Sequence, residues 1–154
     1  MAFAADFEIL FERLGGELRG APKPAPDLFG KLIASACTRV AVLSKAGKTT
    51  RIGQLIEIGA WTEAALALVE LELPAWKLRR LIYEDGEWLC SLTRRPELPT
   101  SLDDSADGFH EVLALAILQA FVEARRIGVA DESGSMVPRI WQASEPTLCC
   151  DNFA

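Results

Sequence analysis

The tightest constraint in this chain is local. Asp85-Gly86 stands between two β-prone runs, residues 76–83 and 88–93. Asp-Gly suits a two-residue turn with positive φ at both central positions, so the two runs are predicted to pair antiparallel. In that register Tyr83 faces Trp88, Leu81 faces Cys90 and Arg79 faces Leu92. The other face pairs Ile82 with Leu89, Arg80 with Ser91 and Leu78 with Thr93. Both faces carry apolar side chains, so each needs a cover: the chain's own helices on one, a partner on the other.

Composition bounds what can supply that cover. The chain has 154 residues, 50% of them hydrophobic, which is one domain's worth and too apolar for disorder. A chain of this size buries roughly 68–70% of its unfolded surface, so a core can form without disulfide staples. The formal net charge of −6 argues against DNA or RNA, whose phosphates are met by Lys and Arg. No apolar run approaches the roughly 18–20 residues that span a bilayer. Asp6 and Glu8 occupy the place where a secretory signal needs a basic and then an apolar segment, so a cytoplasmic protein without a membrane partner is expected. The four cysteines, Cys37, Cys90, Cys149 and Cys150, are accordingly read as reduced thiols.

Periodicity places the remaining elements. Phe3, Phe7, Leu10, Phe11 and Leu14 predict an amphipathic helix ending at Gly15-Gly16, followed by a Pro-rich connector to residue 26. Asp27 is a candidate N-cap for a long helix carrying Leu28, Phe29, Leu32, Ile33, Ala36, Cys37, Val40 and Leu43 on one side, closing near Gly47. A short helix from Thr49 or Thr50 to Ile58 should stop at Gly59. A further helix starts at Trp61, and the alternation of Val69, Leu71 and Leu73 with Glu70 and Glu72 predicts a strand over 68–73, with a helix through Glu72 as the alternative. Residues 106–127 are predicted to form the central helix: Asp103, Asp104 and Asp107 crowd its start, residues 112–118 are all apolar, and Gly128 ends it. Residues 129–154 read as an irregular tail. The expectation is a single α+β domain over 1–154, with helices packed on a small antiparallel meander.

Candidate chemistry is sparse. Gly47-Lys48-Thr49 resembles the end of a phosphate-binding loop, but Val42 stands where the first glycine belongs and a helix precedes it. No acid lies between Asp27 and Glu57, whereas Lys31, Arg39, Lys45, Lys48 and Arg51 are basic; Lys45, Lys48 and Arg51 are therefore candidates for a small anionic ligand. A winged-helix reading fails because the helix after Gly59 offers Thr62, Glu63, Ala64 and Ala65 to the bases. His110 is the only histidine; with Asp103, Asp107 and Glu111 it is the one place for a metal or an acid–base site, although acids in a helix's first turn also suit its dipole. No resident metal and no cofactor is expected. Trp76, Arg79, Tyr83 and Trp88 combine large area with directional polar groups, as interface residues do, and are candidates for a homodimer contact.

One stretch carries a likeness. Gly59-Ala-Trp-Thr-Glu-Ala-Ala-Leu-Ala-Leu, continuing through Leu71-Glu-Leu-Pro-Ala-Trp76-Lys-Leu-Arg-Arg-Leu to Tyr83-Glu-Asp-Gly-Glu-Trp88, resembles proteins of rhizobia-type alphaproteobacteria that have no assigned function. The likeness extends over residues 37–126 and implies a bacterial cytosolic origin; it transfers no catalytic residue. Taken together, the residues favour a non-enzymatic protein-interaction module that forms a homodimer. An anion-binding protein using residues 31–51 and an enzyme or metal site centred on His110 are the alternatives.

Overall fold

Asp85 and Gly86 have φ of 54° and 84°, the paired positive values of a type I′ turn. They join β1 (Lys77–Glu84) to β2 (Glu87–Thr93), and the computed structural model, which describes residues 2–45 and 50–134, adds a third strand, β3 (Ala106–His110). The strands form one antiparallel sheet in the order β1-β2-β3. Six α-helices among the described residues complete an α+β domain: α1 (Ala2–Gly20), α2 (Pro26–Ala36), α3 (Thr38–Lys45), α4 (Thr50–Glu57), α5 (Trp61–Glu72) and α6 (Leu113–Gly134).

The hairpin pairs Tyr83 with Trp88, Ile82 with Leu89, Leu81 with Cys90 and Arg80 with Ser91, as its turn predicts. Beyond Arg80 the register shifts: Leu78, not Arg79, lies opposite Leu92, and Lys77 opposite Thr93. The irregularity at Arg79 turns its side chain to Asp103, with a nitrogen–oxygen distance of 2.8 Å. A bulge of this kind re-aims one side chain at the expense of one residue of ladder.

Helix α6 is the core of the molecule. Leu115, Ala116, Ile117, Leu118, Ala120, Phe121 and Ala124 are all completely buried, as expected of a helix whose first turns are apolar on every side. It packs on β3 and β2, on α1 and on α5. The contact with β3 is unusually close: a Cβ added to Gly108 would stand 2.2 Å from the backbone oxygen of Ala116 and 2.5 Å from the nitrogen of Ala120. Only hydrogen in the side-chain position lets strand and helix approach this far.

Four sequence expectations are corrected here. Residues 106–110 form a strand, and the central helix spans 113–134 in place of 106–127. Ala106, Gly108 and His110 alternate with exposed Asp107 and Phe109, but two of the three inward residues are Gly and His, so the alternation does not read as apolar. Residues 68–72 belong to α5, which buries Ala64, Ala65, Leu68, Val69 and Glu72 along one stripe. Glu72, 3% exposed, reverses the logic of the strand reading: its carboxylate accepts hydrogen bonds from the backbone N–H groups of Arg39 (3.3 Å) and Val40 (3.0 Å) and from the Thr38 hydroxyl (3.5 Å). It thus caps α3, whose first N–H groups have no partners within the helix, and the predicted long helix breaks into α2 and α3 at Cys37. Finally, α1 continues through Gly15-Gly16 because Phe11, Leu14 and Leu18 extend one buried stripe, offsetting about 1 kcal/mol of helix propensity lost at each glycine. Residues 135–154 lie outside the described residues, and with them most of the predicted tail.

Replacing Gly108 with alanine should therefore cost at least the ~1–3 kcal/mol typical of overpacking, because the obstructing atoms are backbone. Gly16→Ala, which meets nothing within 4 Å and lies within α1, should instead gain about 0.5–1 kcal/mol. Thermal denaturation followed by circular dichroism will show the opposite signs, at roughly 2–4 °C per kcal/mol.

Candidate functional site

Helical cover stops short of the hairpin's first strand. α6 packs on β3 and β2, and among the described residues no helix covers β1 to a similar extent. Leu78, Leu81 and Tyr83 share the helix-facing side with Cys90 and Leu92, which are completely buried. Yet Tyr83 is 59% exposed and Leu78 46%, because β1 extends past the edge of the helix layer. On the opposite side Ile82, Leu89 and Phe109 are cross-strand neighbours, an apolar stripe across all three strands in which Phe109 is 53% exposed. β1 is thus an edge strand with apolar side chains bared on both faces, the surface a chain normally covers or uses.

A cleft of about 520 Å³ lies beside the N-terminal end of β1. Leu66 and Val69 of α5, Pro74, Trp76, Leu78 and Leu92 supply its apolar wall, and Glu70 and Lys77 its charges. Trp76 is only 6% exposed, and the Arg94 guanidinium lies 5.0 Å above its ring, within cation–π range. Arg79 is engaged internally: one terminal nitrogen donates to Asp103 Oδ2 and the other to the carbonyl of Leu98, each at 2.8 Å. The Thr93 hydroxyl donates to the same carboxylate oxygen. This cluster clamps the 94–105 connection onto the sheet. Tyr83 and the half-buried Trp88 remain in contact, with ring centroids 5.0 Å apart.

The four interface candidates read from sequence therefore do not make one exposed face. The structure puts Tyr83 at the open edge with Leu78, Leu81 and Ile82, which sequence reasoning did not single out. Their apolar character was legible; that their strand lies outermost was not.

The other candidates fall elsewhere. Arg51 is exposed on α4, Lys31 is 3.3 Å from Glu17 on α1, and Lys48 and the side chain of Lys45 lie outside the described residues. His110, Asp107 and Glu111 do come together, along a cleft of about 580 Å³ beside β3 and the end of α1. Asp103 is not with them. The ring Nδ1 of His110 accepts a hydrogen bond from the N–H of Val112 at 2.9 Å, which places the neutral ring's proton on Nε2. Asp107 accepts hydrogen bonds from the hydroxyls of Ser91 and Ser105. Among the described residues no group of three or more His, Cys, Asp or Glu side chains is arranged to hold a metal ion. A second polar cleft, about 280 Å³, shares Arg19, Asp107 and Gln119 with the first. Gln119 Nε2 is buried without a hydrogen-bond acceptor.

Comparison of the chain with protein-family models, with curated proteins and with solved structures finds no match. Among the described residues no helix is long and apolar enough to cross a membrane.

The described cysteines are poor nucleophiles. Burial, reinforced by the nearby charge of Glu72, pushes the Cys37 thiol up to about 12; burial and Asp107 push Cys90 to about 12 as well. At pH 8 their thiolate fraction is on the order of one in ten thousand, and the thiolate is the reactive form. Brief treatment of the native protein with iodoacetamide, followed by peptide mass mapping, should leave Cys37 and Cys90 unmodified until denaturant is added.

Proposed function

We propose that this chain is a non-enzymatic protein-interaction module that self-associates into a homodimer through the uncovered part of its hairpin. One observation carries the reading: β1 is an edge strand whose apolar residues are exposed on both faces, Leu78, Leu81 and Tyr83 on the side where α6 covers the neighbouring strands and Ile82 on the side it shares with the exposed Phe109. A long apolar edge of this kind attracts another chain, and proteins that stay monomeric blunt it. The net charge of −6 speaks for a protein partner over nucleic acid. The bacterial cytosolic setting implied by the resemblance of residues 59–88 belongs to the same proposal.

Light scattering at micromolar concentration should give twice the mass of the chain. Leu81→Arg, which adds charge at an exposed position without opening the core, should shift the protein to a monomer with an unchanged circular dichroism spectrum. A wild type that is monomeric at all accessible concentrations would sink the reading.

A second reading has one observation behind it. Gln119, whose amide nitrogen is buried and unpaired, and Arg19 line both polar clefts, and with the Gln119 amide turned toward the cleft the two would present donors to a carbonyl or carboxylate of a small ligand. A buried donor without an acceptor is costly, and a bound acceptor would satisfy it. A thermal-shift screen of carboxylated and phosphorylated metabolites should find a stabiliser, whose effect reaches about 2.7 kcal/mol at a hundredfold excess over Kd. Gln119→Leu should reduce that shift; an absence of any stabilising compound removes this reading and leaves the first untouched.

A further inference from the structure

The phase of the hairpin determines which backbone groups of β1 are free. In a two-residue hairpin the flanking residues, here Glu84 and Glu87, exchange both backbone hydrogen bonds, and bonded and non-bonded pairs then alternate. Ile82 with Leu89 and Arg80 with Ser91 are therefore bonded pairs, turned inward to β2. Leu81 and Tyr83 point their N–H and C=O groups to the open edge of the sheet. The register shift between Leu78 and Arg80 ends the regular ladder on the other side. Among the described residues, a regular edge without a further strand thus runs from Arg80 to Glu84.

We propose, building on the self-association argued above, that two copies pair antiparallel along this edge with the twofold axis at Ile82, joining two three-stranded sheets into one of six strands. In an antiparallel pair opposite residues point to the same face, so the axis must fall on a residue. An axis at Ile82 sets Arg80 against Glu84 of the partner subunit and Leu81 against the partner's Tyr83, each twice by symmetry. An axis at Leu81 sets Arg80 against the partner's Ile82 and runs Tyr83 into the bulge at Arg79. An axis at Tyr83 sets Ile82 against the partner's Glu84 and Leu81 against the turn. Only the first matches opposite charges, matches apolar side chains, and forms the hydrogen-bonded pairs between Leu81 and Tyr83 in both directions. The order of charge along the strand, Lys77, Arg79 and Arg80 before Glu84, Asp85 and Glu87, is what an antiparallel copy of itself complements.

The axis also makes Ile82 a non-hydrogen-bonded pair with its own copy, for which the Cα separation is about 4.5 Å, inside the range a disulfide accepts. Ile82→Cys, in a Cys149→Ser/Cys150→Ser background and under mild oxidation, should give a covalent dimer on non-reducing gels. Arg80→Cys in that background should not, because its own copy lies four residues along. Sedimentation equilibrium supplies the second readout: Arg80→Glu or Glu84→Arg alone should weaken the dimer roughly tenfold, and the two together should restore it. A dimer that persists in solution but fails to cross-link through Ile82→Cys, or whose charge reversals do not compensate, overturns this pairing and leaves self-association standing. A chain that never dimerises overturns both.

Discussion

The close approach of Gly108 to the backbone of α6 is the contact on which the other arrangements turn. Because the strand has no side chain there, β3 lies directly against Ala116 and Ala120, and the small residues of the helix complete the fit. That contact sets the height of the whole sheet over the helix. Leu92, Cys90 and Ala106 then fill the layer between them, and α1 and α5 pack on other sides of the same helix.

The same contact explains why the hairpin is only half covered. α6 sits over β3 and β2, and β1, one strand further out, lies beyond its reach. Apolar residues that would ordinarily be interior on such a strand are left at the surface. The proposed dimer follows from this geometry: it would place a copy of β1 where the helix layer ends. Arg79, by contrast, is used within the molecule, where its ion pair with Asp103 binds the long 94–105 connection and the regular ladder ends at Arg80. One residue's engagement therefore limits which part of the edge is open.

Much of the fold was legible in local signals. The Asp85-Gly86 turn, the pairing from Tyr83 to Arg80, the stop at Gly59 and the buried run within α6 all rest on interactions between residues close in sequence. Other features were hidden because they depend on distant partners. The alternation of Val69, Leu71 and Leu73 with Glu70 and Glu72 mimics a strand, and only the N–H groups of α3, more than thirty residues away, explain why Glu72 is buried on a helix. Ala106-Asp-Gly-Phe-His is a strand whose inward residues are too small or too polar to be recognised without the helix they face. The candidate site shows the same division: aromatic and apolar residues of the hairpin were visible as interface material, but Trp76 and Arg79 proved to be held inside the molecule.

The sequence by itself determined the hairpin, its phase and the two-sided apolar character of its strands, because a turn of two residues and a period of two are local properties. It also determined that the chain is acidic and has a single histidine, which needs no fold to read. Only the tertiary structure decided which strand lies at the edge and how far the helices cover it. Strand order and layer width depend on contacts between residues far apart in the chain, here Gly108 on α6 and Glu72 on α3, and no local pattern encodes them.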